Sequence, residues 1–227
     1  MGEVYQAKDT RLGRTVAIKL LPAHLSANVE LRQRLEREAR AISALSHPHI
    51  CALYDIGHQD GTDFLVMEYL EGQTLSQRLA KGPLPVDEAL GYAQEMAEAL
   101  DQAHRHGVVH RDLKPANIML TKSGAKLLDF GLAKLIEEPD HDLTTQGGPL
   151  TSWTAEGAII GTVSYMSPEQ AEGKKVDARS DIFTFGAVMY EMFSGRSPFQ
   201  RDSTASTLAA ILKEDPRPLG ELVSHVP

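Results

Sequence analysis

The sequence predicts an α+β fold, with a small strand-rich N-terminal part followed by a larger, mainly helical one. Three observations carry this: a period-two strand near the start, two amphipathic helical stripes, and a late run that is apolar nearly all round. From Thr15 to Leu21 the residues alternate, with Val16, Ile18 and Leu20 on one face and Ala17, Lys19 and Leu21 on the other. From Leu31 to Leu45 the apolar positions Leu31, Leu35, Ile42 and Leu45 form a helical stripe whose empty seat is filled by Glu38. Asp63 to Leu70 reads as a strand running into a linker. A second helix spans Pro85 to Ala103. Pro85 suits its first position, Asp87 and Glu88 favour its positive end, and Val86, Ala89, Leu90, Ala93, Met96, Ala97, Leu100 and Ala103 form its buried stripe. Ala125 to Leu128 is strand-like, and Asp181 opens the apolar run Ile182 to Phe193, expected to be a buried central helix.

Composition bounds the function. At 227 residues and 42% hydrophobic content the chain can bury a real core and exceeds the usual single-domain length of about 100 to 200 residues. Its 23 Lys and Arg against 31 Asp and Glu give a net charge of −8, which offers no general attraction to nucleic acid or an anionic membrane. The single cysteine, Cys51, cannot form an internal disulfide and sits in the apolar run Ile50 to Leu53, so it reads as a small core residue. No apolar stretch approaches the ~18 residues of a membrane span, and Met1-Gly2-Glu3-Val4 shows no signal pattern, so the expectation is a cytoplasmic protein. The Gly-, Ser- and Thr-rich stretch from Leu143 to Gly161 is the candidate mobile loop. His104 and His106 have no thiol or carboxylate cluster to complete a metal site.

The chemistry concentrates in His110-Arg111-Asp112-Leu113-Lys114-Pro115-Ala116-Asn117, followed closely by Asp129-Phe130-Gly131. One loop-strand-loop stretch thus holds a general base, a phosphate-binding cation and two groups suited to a hard metal ion, the equipment phosphoryl transfer needs. Here the chain resembles the protein kinases, in the H-R-D-L-x-x-x-N and D-F-G elements of their signature set.

Lys19 and Glu38 extend the pattern. Alone, a lysine in a strand reads as a solvated edge charge. An inward-pointing Glu38 would cost several kcal/mol if unpaired, however, and a lysine facing the same interior is its natural partner. Glu36 lies off the stripe and reads as solvated. Lys19 and Glu38 resemble the kinase Val-Ala-Ile-Lys lysine and helix glutamate, whose ion pair holds the ATP phosphates.

The resemblance implies a two-lobed protein-kinase-like fold spanning 1–227, with a partial N-lobe over 1–67 and the hinge and partial C-lobe over 68–227. ATP would lie between the lobes. Met67 would be the gatekeeper, backbone groups of Glu68 and Leu70 would bind adenine, and Val4, Ala17 and Met119 would sandwich the purine, although ordinary core packing also accounts for these three. Asp112 would be the catalytic base, Lys114 would neutralise the transferred phosphoryl group, and Asn117 and Asp129 would hold Mg²⁺. His110 would stack with Phe130, Ile42 and Leu53, Asp181 would brace the catalytic loop or cap its helix, and Thr162 would brace Asp112 and Lys114. Gly161-Thr162 and Ser167-Pro168-Glu169 resemble the end of the activation segment, with Ser167 in place of alanine.

Lys114 points to serine and threonine acceptors, and the wording of the motifs is most similar to the bacterial, eukaryotic-like serine/threonine kinases. Autophosphorylation on Thr151 or Thr154 is expected, with Arg111 placed to pair with the phosphate. The glycine-rich loop is represented only by Gly2 and Val4, and the chain stops at Pro227, so both ends of the fold are expected to be incomplete. Two other classes stay open: a truncated pseudokinase or scaffold that binds but barely turns over ATP, and a small-molecule phosphotransferase. Intact Lys19, Asp112, Asn117 and Asp129 speak against the first, and Lys114 with the 161–169 segment against the second.

Overall fold

The computed structural model describes residues 3–22, 29–130 and 163–223. Four antiparallel strands open the chain: β1 (Val4–Asp9), β2 (Arg14–Leu20), β3 (Leu53–Gln59) and β4 (Thr62–Glu68), in the order β1-β2-β4-β3. Each hairpin has a local cause. Asp9 accepts the backbone N–H of Arg11 and of Leu12, both at 3.1 Å, and Gly13 closes the first turn at φ +71°. Asp60 and Gly61, at φ +50° and +77°, form the two-residue turn between β3 and β4, where positive φ at both centres matches the strand twist.

Helix α1 (Val29–Ser43) packs against β3 and buries Leu35, Ala39 and Ile42. Its stripe therefore runs through Ala39, and Glu38 stands beside it, only half-buried. Below the sheet come β5 (Gly72–Thr74), the short α2 (Leu75–Leu79), α3 (Val86–Arg105), a 3-10 turn (Pro115–Asn117), β6 (Ile118–Thr121) and β7 (Gly124–Leu127), followed later in the chain by α4 (Pro168–Ala171), α5 (Ala178–Ser194) and α6 (Thr204–Lys213). Strands β5, β6 and β7 form a second, antiparallel sheet. Glu95 of α3 accepts the Ala125 N–H at 2.6 Å, pinning β7 to that helix.

The expected elements are present, with four shifts of detail. Pro85 is the N-cap of α3 rather than its first residue, and Leu90 and Ala97 are exposed while Ala99 is buried. In α5 the cap is Asp177, whose carboxylate accepts the Arg179 N–H, so Asp181 lies in the first turn and is free for another role. Ile182, at 57% exposure, departs from the all-round burial expected of that helix. One continuous core joins the two parts, from Leu35, Ile42, Leu53 and Leu65 above to Met96, Leu100, Ile118, Leu127 and Met192 below. A smaller cluster holds Val163, Met166, Phe199, Ala210 and Ile211. Among the described residues no helix is long and apolar enough to cross a membrane.

Candidate active site

The loop between α3 and β6 is built around one buried carboxylate. Asp181, 1% exposed, accepts the His110 N–H at 2.7 Å and the Arg111 N–H at 2.8 Å, and meets His104 Nε2 at 2.7 Å. These bonds hold Arg111 at φ +63°, a left-handed conformation that a side chain with a Cβ rarely adopts. The Arg111 carbonyl accepts from Gln170 Nε2 at 2.7 Å, which ties the loop to α4. Ser167 is fully buried as the cap of α4, in a reciprocal capping box with Gln170, so serine gives this helix start a hydroxyl that alanine lacks.

His110 is fully buried. Its Nε2 donates to the Leu128 carbonyl at 3.0 Å and its Nδ1 accepts the Asp112 N–H at 3.3 Å, an arrangement of the neutral ring. Burial pulls its pKa down, against the nearby Asp181 and Asp112 carboxylates. Its ring lies 4.7 Å from that of Phe130, which shares the core with Ile42 and Leu53, as the expected stack requires.

From this loop three polar groups converge. Lys114 Nζ lies 2.8 Å from Asp112 Oδ2, and Asn117 Nδ2 donates to the Asp112 side chain at 2.9 Å and to its carbonyl at 2.8 Å. With its amide nitrogen so engaged, Asn117 presents Oδ1 as its remaining donor to a cation. The Asn117 carbonyl accepts the Leu128 N–H at 2.9 Å, placing Asp129 one residue beyond that bond. Among the described residues no group of three or more His, Cys, Asp or Glu side chains forms a metal site by itself. A cation held by Asn117 and Asp129 would therefore complete its shell with substrate oxygens, which suits Mg²⁺, a hard ion usually bound by one or two carboxylates plus phosphates.

Lys19 departs from expectation. Its ammonium lies 2.6 Å from Asp129 Oδ2 rather than on Glu38, which makes no ion pair or hydrogen bond among the described residues. The pairing with Glu38 required an inward carboxylate, whereas Glu38 is only half-buried and keeps contact with water, and Lys19 meets Asp129 instead. The positions expected to face a nucleotide are adjacent across the upper sheet, where Ala17 pairs with Met67 and Val4 with Lys19. Met119 lies on β6 opposite Lys126, and Leu70 follows the end of β4. Gly2, Gly131, the whole 143–161 stretch with Thr151 and Thr154, and Gly161 and Thr162 lie outside the described residues.

Four participants escaped the sequence reading. The Glu68 side chain grips Lys126, His104 and Gln170 hold the loop that carries Asp112, and Ser180 donates its hydroxyl to Glu169. Of these, Glu68 was expected to contribute only its backbone, and His104 had drawn notice as a metal candidate; the spacing of six residues between His104 and His110 was the available signal.

A strand-rich part above a mainly helical one, with Lys114 and Asn117 on Asp112 and Lys19 on Asp129, is the arrangement of a protein-kinase-like fold. Comparison with known proteins agrees: the protein kinase domain family matches residues 1–220, and the chain belongs to that family. It is 42% identical over 223 residues to the serine/threonine-protein kinase pkn2 of Myxococcus xanthus, covering 96% of this chain and 26% of that protein. It is 41% identical over 224 residues to the serine/threonine-protein kinase PknB of Mycobacterium leprae, covering 96% of this chain and 34% of that protein. The crystal structure of the Mycobacterium tuberculosis PknI kinase domain superposes with a TM-score of 0.71 at 30% identity, covering 98% of this chain and 76% of that one. The chain thus spans about a quarter to a third of the length of these curated relatives.

Proposed function

We propose that this chain is the catalytic unit of a serine/threonine protein kinase that transfers the γ-phosphate of ATP to a protein hydroxyl. The observation that carries the reading is the convergence of Lys114 and Asn117 on the Asp112 carboxylate, beside a second cluster of Lys19 and Asp129. Asp112 accepts the proton of the attacking hydroxyl, and the bond from Asn117 fixes its orientation. Lys114, already at the base, balances negative charge on the phosphoryl group in flight. Asn117 Oδ1 and the Asp129 carboxylate would hold the Mg²⁺ that accompanies ATP, which would neutralise phosphate charge. Lys19 binds the nucleotide phosphates, and Glu38 is the carboxylate that would receive Lys19 when Asp129 turns to the cation. Backbone groups of Glu68 and Leu70 take the adenine, between Val4 and Ala17 above and Met119 below.

The names of the relatives support serine and threonine as acceptors. Phosphorylation of Thr151 or Thr154, with Arg111 as the pairing cation, is the proposed regulation. The test is transfer of labelled phosphate from ATP and Mg²⁺ to peptides bearing serine, threonine or tyrosine, with mass spectrometry of the kinase itself. Label on serine and threonine is expected. Label on tyrosine alone, or nucleotide binding with no transfer to any acceptor, overturns the reading in favour of another acceptor class or a pseudokinase.

A further inference from the structure

The hinge end of β4 is fastened to the strand that leads to Asp129 by an ion pair for which the catalytic scheme has no use. Lys126 Nζ sits 2.8 Å from both carboxylate oxygens of Glu68, with the two side chains 13% and 25% exposed. Oε2 of the same carboxylate accepts the Ala52 N–H at 3.2 Å, and the Glu68 N–H donates to the Ala52 carbonyl at 2.9 Å. The segment before β3 is in turn locked to β7, because Leu127 donates to the His49 carbonyl and accepts from Cys51 N–H, both at 2.9 Å. Glu68 therefore holds one strand of the upper sheet, the connector and the lower sheet together.

From Lys126 the chain reaches Asp129 in three residues, with little freedom on the way. Leu127 is bonded on both sides to the connector, and Leu128 donates to the Asn117 carbonyl at 2.9 Å. The backbone path from Lys126 to the Asp129 carboxylate is therefore short and held at each step. On the hinge side, the residue gripping Lys126 is the one whose backbone is assigned to adenine. The pair thus links the segment assigned to adenine with the strand that leads to Asp129.

We propose that Glu68 and Lys126 are positioning residues of the phosphotransfer site, setting the spacing between the hinge and Asp129 and thereby the fit of MgATP. The inference rests on the kinase reading. Exposed ion pairs contribute little, but this one is largely enclosed, and removing one partner leaves the other charge uncompensated where water is scarce. Its effect should appear in nucleotide binding first, since groups that orient a metal-binding side chain typically change affinity by about 10- to 100-fold when removed.

The experiment compares the parent chain with Glu68→Gln, Lys126→Met, the double variant and Lys126→Arg. MgATP affinity is measured by titration, KM and kcat by phosphate transfer, and melting temperature in parallel. Glutamine at 68 keeps an oxygen for the Ala52 N–H, so that variant tests the charge alone. The expected result is a rise of about tenfold in Kd and KM for MgATP in each single variant, with kcat changed much less. The double variant should be no worse than the poorer single, and Lys126→Arg should stay near the parent. Kd and KM within twofold of the parent in both single variants overturn the proposal, as does a full multiplication of the two effects in the double variant. Lower melting temperatures with unchanged Kd and KM also overturn it, by showing a structural role only. A parent chain that neither binds nor turns over MgATP overturns the kinase reading itself, an outcome distinct from all of these.

Discussion

Replacing Asp181 by alanine should be among the most damaging single changes in this chain. The carboxylate is 1% exposed and accepts two backbone N–H groups, from His110 and Arg111, at 2.7 and 2.8 Å. Hydrogen bonds to a charged group contribute about 1.5 to 3 kcal/mol each, so losing the pair costs roughly 3 to 6 kcal/mol before any relaxation. Against a total stability of about 5 to 15 kcal/mol for a folded domain, that removes a large share. Arg111 would also relax from its left-handed conformation, carrying Asp112 with it. Asp181→Asn keeps one oxygen acceptor, so it should lose roughly half as much stability, about 1.5 to 3 kcal/mol. Urea unfolding followed by fluorescence gives the stabilities, and phosphate transfer on the folded fraction gives the activity. We expect the order parent, Asn, Ala in both readouts. An Asp181→Ala variant that unfolds within about 0.5 kcal/mol of the parent would refute the reasoning, because ordinary surface changes fall in that range.

Cys51 should resist alkylation in the folded protein at pH 8 and react after denaturation, since burial and then the Glu68 carboxylate push its thiol up to about 12; fast labelling of the native chain would contradict this. Burial raises the Glu191 carboxyl, which accepts the Tyr165 hydroxyl, so its contribution is present below its unfolded value of about 4.3 and is lost as pH rises through the folded one. Glu191→Gln should therefore raise the melting temperature relative to the parent more at pH 8 than at pH 4, and a pH-independent difference would oppose it. Lys19→Met should lower transfer by at least ~10²-fold, the scale on which positioned electrostatic groups act. Glu38→Gln breaks no ion pair among the described residues, so it should leave the melting temperature unchanged while lowering transfer; unaltered transfer would remove Glu38 from the site.

The sequence made some features legible because their causes are local. The alternation through Val16 and Lys19, the stripe of α3 and the Asp112-to-Asn117 spacing each depend on neighbours in the chain, and the structure places them in a strand, a helix and a convergent loop. Family resemblance supplied the two-lobed architecture, which periodicity alone would not have fixed. What was lost required knowledge of distant partners. Lys19 had two carboxylates to choose from, and helical phase alone favoured Glu38 because it could not show that Asp129 would come within 2.6 Å. Glu68 was given only a backbone role, since its side-chain partner lies 58 residues away on β7. Alternation in β7 placed Lys126 opposite the face of buried Ala125 and Leu127, where a solvated lysine was the natural expectation.

The central claim is that Asp112 acts on the acceptor hydroxyl and not on the nucleotide. It is tested most directly by comparing the parent and Asp112→Asn for MgATP binding and for phosphate transfer in the same buffer. The account predicts near-equal Kd values and transfer reduced by about 10² to 10⁴, the usual contribution of a positioned base. Equal transfer rates in the two proteins would contradict it.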